Sequence, residues 1–196
     1  MDDIHNINGA DLECVYSYDS LDPDVLEIIV GSLESKGFRL KGSQPFFINT
    51  RDEPWGVAIP QNNSVSQFLN HVEDLPGVTQ CGIKMLGRLD DVVTNLGIIC
   101  DFENRVCTIW ASDPFIWVLS GPSARSARRR RIAGFFDICQ SLSEIKMPSF
   151  ASVGAEPPRG EEINVENAEH NGFERFDTTV FFSQERMDDV LTWYTG

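Results

Sequence analysis

The sequence predicts an α+β fold, in which a mostly antiparallel sheet packs against about three to four helices. Residues 79–120 form a series of short apolar or alternating runs, which is typical of consecutive strands. Segments 22–37, 65–75 and 124–143 instead repeat apolar residues at three- and four-residue spacing, which is typical of helices. With 196 residues, 41% of them apolar, the chain is long enough to bury one good core. We therefore expect a single domain over residues 1–196.

Each helical segment has a start signal and one apolar stripe. Asp22 and Pro23 open the first, as N-cap and first helical residue, and Ser64 supplies the cap of the second. The third follows the turn Gly121-Pro122-Ser123. A short fourth helix is expected over 184–194. The predicted buried stripes are Val25, Ile28, Ile29 and Leu33 in the first helix, Val65, Phe68, Leu69 and Val72 in the second, and Ile132, Phe135, Phe136, Cys139 and Leu142 in the third.

The strand signals predict a sheet of about five to seven strands. Candidate strands cover 13–19, 38–42, 45–49, 55–60, 78–89, 95–102, 105–111, 115–120, 149–153 and 175–183. A turn at Glu103-Asn104 would pair Cys100 with Cys107 and Ile98 with Ile109, so these side chains would share one face. That face is the better core candidate.

The charge balance argues for a basic protein partner. The chain has 16 basic and 30 acidic side chains and a net charge of -14, which repels nucleic acid and anionic membranes. The N-terminus lacks the cationic start and apolar run of a secretory signal. The most apolar region, 95–121, is interrupted by charged residues, so no membrane span is predicted. We expect a cytoplasmic protein.

The cysteines indicate reduced thiols. Their number is odd, five, and they show no short repetitive spacing, so a disulfide framework is not favoured. Cys100 and Cys107 are the one pair placed opposite each other by the predicted hairpin. They are either two buried thiols, which we favour, or a bridge.

An arginine-rich segment holds the concentrated positive charge of the chain. It begins after an apolar run and a Gly-Pro-Ser turn, and its guanidinium groups oppose the positive end of a helix dipole. One interpretation is an anion site at the free amides of the helix start. The other, which we favour, is that the arginines neutralise the protein's own acidic surface or project into solvent. The candidate anion-binding residues are Ser123, Arg125, Arg128, Arg129 and Arg130.

The sequence motifs of common catalytic and metal sites are not found. There is no P-loop, no GxGxxG, no GxSxG and no HExxH. His5, His71 and His170 lie far apart. We therefore predict no cofactor, no metal and no catalytic residue, and this favours a binding protein over an enzyme.

These observations lead to one main hypothesis and two alternatives. The main one is a small acidic cytoplasmic protein-binding protein, of the immunity type that inhibits a basic toxin or enzyme. The predicted partner-binding residues are Asp52, Glu53 and Trp55, with Glu156, Glu161, Glu162, Glu166 and Glu169 from a long acidic loop over 148–174. The first alternative is an enzyme or sensor that binds a phosphorylated small molecule at 120–131. The second is a viral or phage accessory protein whose arginine helix contacts nucleic acid.

Overall fold

A computed structural model describes residues 12–42, 45–57, 59, 64–112, 124–146, 148–155 and 179–180. It confirms an α+β fold with an antiparallel sheet. The elements in chain order are β1 (Leu12–Ser17), α1 (Asp24–Ser35), β2 (Arg39–Leu40), β3 (Phe46–Thr50), α2 (Val65–Asp74), β4 (Val78–Leu89), β5 (Val92–Asp101), β6 (Val106–Ser112), α3 (Ala124–Ile145), β7 (Phe150–Ala155) and β8 (Thr179–Val180). The described part thus holds three helices and eight strands, against the five to seven strands expected. Two of the eight, β2 and β8, are only two residues long.

The sheet places the first strand of the chain near its middle. Its order is β2-β4-β5-β6-β1-β7-β8, and β3 pairs with the first half of β4 beside β2. Every described strand pair is antiparallel. One end of the sheet is formed by Ser17, Thr50, Val78, Asp101 and Val106. We call it the acidic end, for reasons given below.

The predicted register of the β5–β6 hairpin is confirmed. Cys100 lies opposite Cys107 and Ile98 opposite Ile109. All four side chains are completely buried, on the face that was expected to form the core. A turn over 102–105 joins the two strands, and Arg105 in it has a φ of 55°.

The helices cover this core face. The apolar stripe of α3 is buried throughout, as predicted. The Tyr16 hydroxyl of β1 donates a hydrogen bond of 2.7 Å to the Cys139 carbonyl of α3. Phe68 of α2 stacks on Phe46 of β3, with ring centroids 4.5 Å apart. Helix α1 contacts both other helices. In α1 the buried residues are Val25, Leu26, Ile29, Val30 and Leu33, whereas the predicted Ile28 is exposed.

Aromatic rings lie directly over three glycines of the sheet. Phe47 covers Gly82, Phe38 covers Gly87, and Trp110 covers Gly97 on the directly opposite strand. At each glycine a Cβ atom would overlap the ring. Only glycine therefore allows such close contact between ring and backbone.

The predictions for the start of α1 and for residues 55–60 were also wrong. The Asp22 side chain does not cap α1; the residue at the N-cap position is Pro23, which makes no side-chain cap bond. The run 55–60 is not a strand where it is described. Instead, a single backbone bond of 2.8 Å joins the Val57 amide to the Ile48 carbonyl. The predicted Ser64 cap of α2 is confirmed, since its side chain accepts from the Gln67 amide.

Several predicted elements lie outside the described residues. These are the strand over 115–120, the helix over 184–194 and most of the strand over 175–183. Of the acidic loop predicted over 148–174, residues 150–155 form β7, near the short strand expected there, and residues 156–174 are outside the described part. Among the helices that the structure describes, none combines the length and apolarity needed to cross a bilayer.

Candidate protein-binding surface

The surface begins with the loop of residues 51–56, which we call the Trp55 loop. Its entry is a tight turn in which the Thr50 amide donates to the Glu53 carbonyl (3.2 Å) and the Glu53 amide donates to the Thr50 hydroxyl (3.0 Å). At its exit the Gly56 amide donates to the Glu53 carbonyl (3.3 Å). Gly56 has a φ of 115°, a conformation that glycine adopts without strain. The loop is therefore held by its own hydrogen bonds.

This loop presents an indole ring to solvent. Trp55 is 98% exposed, and Asp52 and Glu53 beside it are also exposed. A large apolar side chain with so much exposed surface is unusual, because burial of such a ring removes much apolar surface from water. The sequence predicted that all three residues lie on the surface, since they follow Thr50 in a polar stretch around Pro54.

Two neighbouring turns support the Trp55 loop. The Arg51 amide donates to the Gly77 carbonyl (2.9 Å), in the turn that follows α2. The Arg51 guanidinium forms an ion pair with Glu103 (Nε to Oε1, 2.9 Å), in the β5–β6 turn. That turn is braced in its own right, because Asp101 accepts from the Asn104 amide (3.0 Å) and from the Gln80 side chain (2.8 Å).

Carboxylates dominate this end of the sheet. Besides Asp52 and Glu53, the exposed acidic residues are Asp19, Glu73, Asp74 and Glu103. Among the described basic side chains here, Arg51 is paired with Glu103 and Arg105 donates to the Asp19 carbonyl (3.2 Å). Lys146 lies over the Tyr18 ring, 5.9 Å from its centroid. The described part of the acidic end, which includes Trp55, therefore carries more acidic than basic side chains.

Sequence reasoning identified only part of this surface. Asp19, Glu73, Asp74 and Glu103 are distant in sequence from the Trp55 loop. Strand pairing brings Asp19 and Glu103 to the same end of the sheet. The end of α2, with Glu73 and Asp74, is brought there by the turn that Arg51 contacts at Gly77. The predicted turn at Glu103-Asn104 was the one available signal for Glu103. The predicted partner-binding residues Glu156, Glu161, Glu162, Glu166 and Glu169 lie outside the described residues.

The start of α3 is at the opposite end of the sheet, and two of its arginines are paired with the β4–β5 turn. Arg130 Nε lies 2.9 Å from Asp90 Oδ2. Arg131 binds Asp91 through two contacts, Nε to Oδ1 at 2.8 Å and Nη2 to Oδ2 at 3.1 Å. The Arg131 side chain is only 6% exposed. Its hydrogen bond to Asp91 holds the pKa of that carboxyl below its ordinary value.

These pairs bear on the predicted anion site. Arg130, one of its candidate residues, contacts a carboxylate of the protein itself and the Ser126 hydroxyl (2.9 Å). Ser123 and the side chains of Arg125, Arg128 and Arg129 lie outside the described part of the structure. An anion site at these four residues stays a prediction.

The cysteines of the chain belong to its core. All five are buried and unbridged. Burial raises the pKa of the Cys14 and Cys81 thiols, and the contact with Cys107, together with burial, raises the pKa of Cys100. A raised pKa keeps a thiol protonated and a poor nucleophile near neutral pH. Within the described ranges, no three His, Cys, Asp or Glu side chains come together in a way that could hold a metal ion.

Comparison with known proteins gives one weak structural likeness. No protein-family model matches the chain, and no curated protein matches it significantly. A chain of the crystal structure of the toxic C-terminal tip of CdiA from Pseudomonas aeruginosa in complex with immune protein is similar to it, with a TM-score of 0.42 and 14% sequence identity. The match covers 75% of this chain and 86% of that chain.

Proposed function

We propose that this chain binds a protein partner with a basic surface, and that Trp55 and the surrounding carboxylates of the acidic end make the contact. The observation that carries the proposal is the 98% exposure of Trp55 on a hydrogen-bonded loop. Tryptophan is enriched among the few interface residues that supply most of the binding energy. A loop already held in place loses little conformational freedom on binding, which favours affinity.

The carboxylates give the surface its selectivity. Exposed acidic groups attract a basic partner over a distance of about one Debye length and repel nucleic acid and acidic proteins. The net charge of -14 acts in the same direction. In this proposal Trp55 supplies short-range binding energy, and Asp52 and Glu53 supply orientation and partner choice.

The finer form of the proposal is an inhibitor of the immunity type. A small acidic protein that covers the basic active site of a toxin or enzyme needs no catalytic residues of its own. We place this activity in the cytoplasm, where free thiols such as those of this chain persist. The natural partner to test is a basic protein encoded next to the gene for this chain.

To test this, that neighbouring basic protein is titrated with the full chain. Binding is measured by calorimetry, and the partner's activity is assayed in the same mixtures. Binding with loss of the partner's activity is the expected result. The Trp55→Ala variant should bind about 30-fold more weakly, which corresponds to the roughly 2 kcal/mol that defines a hot spot. Its melting temperature should stay close to that of the original chain, because a ring that is 98% exposed buries little surface in the fold.

A double charge reversal, Asp52→Lys with Glu53→Lys, should also weaken binding. Its matched control is Glu34→Lys with Asp137→Lys, which changes the net charge equally at exposed positions of α1 and α3. If both double variants lose the same affinity, only overall charge matters and the acidic end is not the interface. If no basic partner binds the original chain, the function itself is wrong.

The alternative, binding of a phosphorylated small molecule at 120–131, has a separate test. Melting temperatures measured with nucleotides, coenzyme A, phosphate and sulfate should rise with a true ligand. That rise should vanish in Arg128→Ala/Arg129→Ala. The ion pairs of Arg130 and Arg131 with the β4–β5 turn do not favour this alternative.

A further inference from the structure

Cys100 and Cys107 lie opposite each other on β5 and β6, with their Sγ atoms 3.8 Å apart. Both are completely buried and unbridged. We propose that these two residues are a redox modification site, at which a peroxide converts the thiol pair to a disulfide that closes the β5–β6 hairpin. This inference is independent of the proposed function.

The backbone pattern shows that the two cysteines form a non-hydrogen-bonded pair. The Phe102 amide donates to the Thr79 carbonyl of the β4 side (2.9 Å). Alternate residues of a strand direct their backbone groups to the same neighbour, so those of Cys100 also face β4. On the other strand, the Arg105 carbonyl accepts from the Tyr18 amide (3.0 Å), so the backbone groups of Cys107 face β1.

In a non-hydrogen-bonded pair the two side chains lie closer together than in a hydrogen-bonded pair. Opposite Cα atoms in a non-hydrogen-bonded antiparallel pair are about 4.5 Å apart, which falls within the roughly 4.4–6.8 Å spanned by disulfides. The bridge therefore needs a change of side-chain rotamers, with little movement of the backbone.

Two other pairs of cysteines could form a bridge instead. Cys81 lies opposite Cys100 on β4. Because the Cys100 backbone faces β4, that pair is hydrogen-bonded, with Cα atoms about 5.5 Å apart and side chains farther from each other. Cys14 and Cys139 are also in contact. They lie on a strand and a helix, β1 and α3, so strand pairing does not set their separation. Of the two strand neighbours of Cys100, geometry therefore favours Cys107 as the partner in a bridge.

The chemistry balances with hydrogen peroxide as the oxidant. One thiolate attacks a peroxide oxygen, the O–O bond breaks, and a sulfenic acid and water are formed after proton transfer. The second sulfur then attacks the sulfenic sulfur, so that the S–S bond forms, the S–O bond breaks and a second water leaves. Each thiol gives up one electron and one proton, and the peroxide is reduced to water. Burial makes the reaction slow, because it must await local opening of the hairpin.

Peptide mapping of the full chain tests the proposal directly. The folded protein is treated with hydrogen peroxide, its remaining thiols are alkylated in denaturant, and it is digested with trypsin without reduction. Cleavage after Arg105 separates the two cysteines, into peptides 89–105 and 106–125. The expected product joins these two peptides. Joined 52–84 and 89–105, joined 1–36 and 132–146, or five alkylated cysteines would each overturn the proposal.

Thermal stability gives a second readout. The bridge closes a short loop and should raise the melting temperature by about 5–10 °C. This rise should be absent in Cys107→Ala and retained in Cys81→Ala, a control that removes an equally buried thiol from the same face. A rise that persists in Cys107→Ala would contradict the proposal. If that variant does not fold, the peptide map of the original chain still decides.

Discussion

Gly97 shows how strongly a single residue is constrained by its neighbour across the strand pair. The Trp110 ring occupies the place where a Cβ atom of residue 97 would lie. Composition and periodicity give no sign of this contact, because a glycine in a strand run is also consistent with a bulge or a turn. The Trp110 side chain is half-buried, over this glycine.

At Gly97, the change to alanine should lower the free energy of unfolding by about 1–3 kcal/mol, the usual cost of overpacking. The matched control is Gly31→Ala, in the middle of α1, where a Cβ atom would meet nothing within 4 Å. That variant should instead be more stable by roughly 0.5–1 kcal/mol, since alanine favours a helix over glycine. Urea unfolding of both variants measures the difference. If Gly97→Ala and Gly31→Ala changed the free energy of unfolding by the same amount and in the same direction, the ring would not restrict residue 97.

Helix α3 is attached to the sheet by a pair of carboxylates, Asp90 and Asp91, in the β4–β5 turn. The two ion pairs differ in burial, because the Arg131 side chain is 6% exposed and that of Arg130 is 55% exposed. Loss of a partner should matter more for the Arg131 pair, because removing one charge of an ion pair costs more when the other charge is buried. An exposed pair contributes only about 0–1 kcal/mol.

We therefore expect Asp91→Asn to lower the melting temperature at pH 7 clearly more than Asp90→Asn. The pKa of Asp91 is lower in the folded chain than its ordinary value, so this carboxyl stabilises the fold fully above the ordinary pKa. The contribution is lost as the pH falls through the lowered value. Melting curves of the original chain and Asp91→Asn should thus converge at strongly acidic pH. A constant difference at every pH would mean that the Asp91 charge is not the cause.

At the level of elements, sequence reasoning succeeded where a local pattern decides the structure. The β5–β6 register followed from a turn position and simple counting, and the α3 stripe followed from helical spacing. It failed at 55–60, where an apolar run suggests a strand. There the Thr50–Glu53 turn and the positive φ of Gly56 lead the chain into the Trp55 loop. It also failed to connect Arg131 with Asp91, because no sequence spacing links residues 40 positions apart.

At the scale of the molecule, the described residues distribute charge unequally between the two ends of the sheet. The acidic end carries mostly carboxylates, whereas the start of α3 at the other end carries the arginines. Sequence alone predicted the net charge and the exposure of the Trp55 loop. That Asp19 and Glu103 lie at the same end of the sheet as this loop could not be predicted, because it depends on strand order.

This asymmetry predicts how association with a basic partner depends on salt. The association rate should fall as ionic strength rises from about 0.01 M to about 0.15 M, because the Debye length shortens from about 30 Å to about 8 Å. The double reversal at Asp52 and Glu53 should slow association, whereas Trp55→Ala should mainly speed dissociation. Stopped-flow mixing at both salt concentrations measures the two rates. An association rate that does not change with salt would argue against electrostatic attraction by the acidic end.

The rings over Gly82, Gly87 and Gly97 should also give the folded sheet distinctive signals in a proton NMR spectrum. At each glycine the α-proton that takes the place of a side chain points into the face of an aromatic ring. The circulating π electrons shield a proton in that position, so its resonance moves upfield, away from the other glycine signals. Three such shifted signals, one on β5 and two on β4, would report native strand pairing, and their loss would show which part of the sheet opens first.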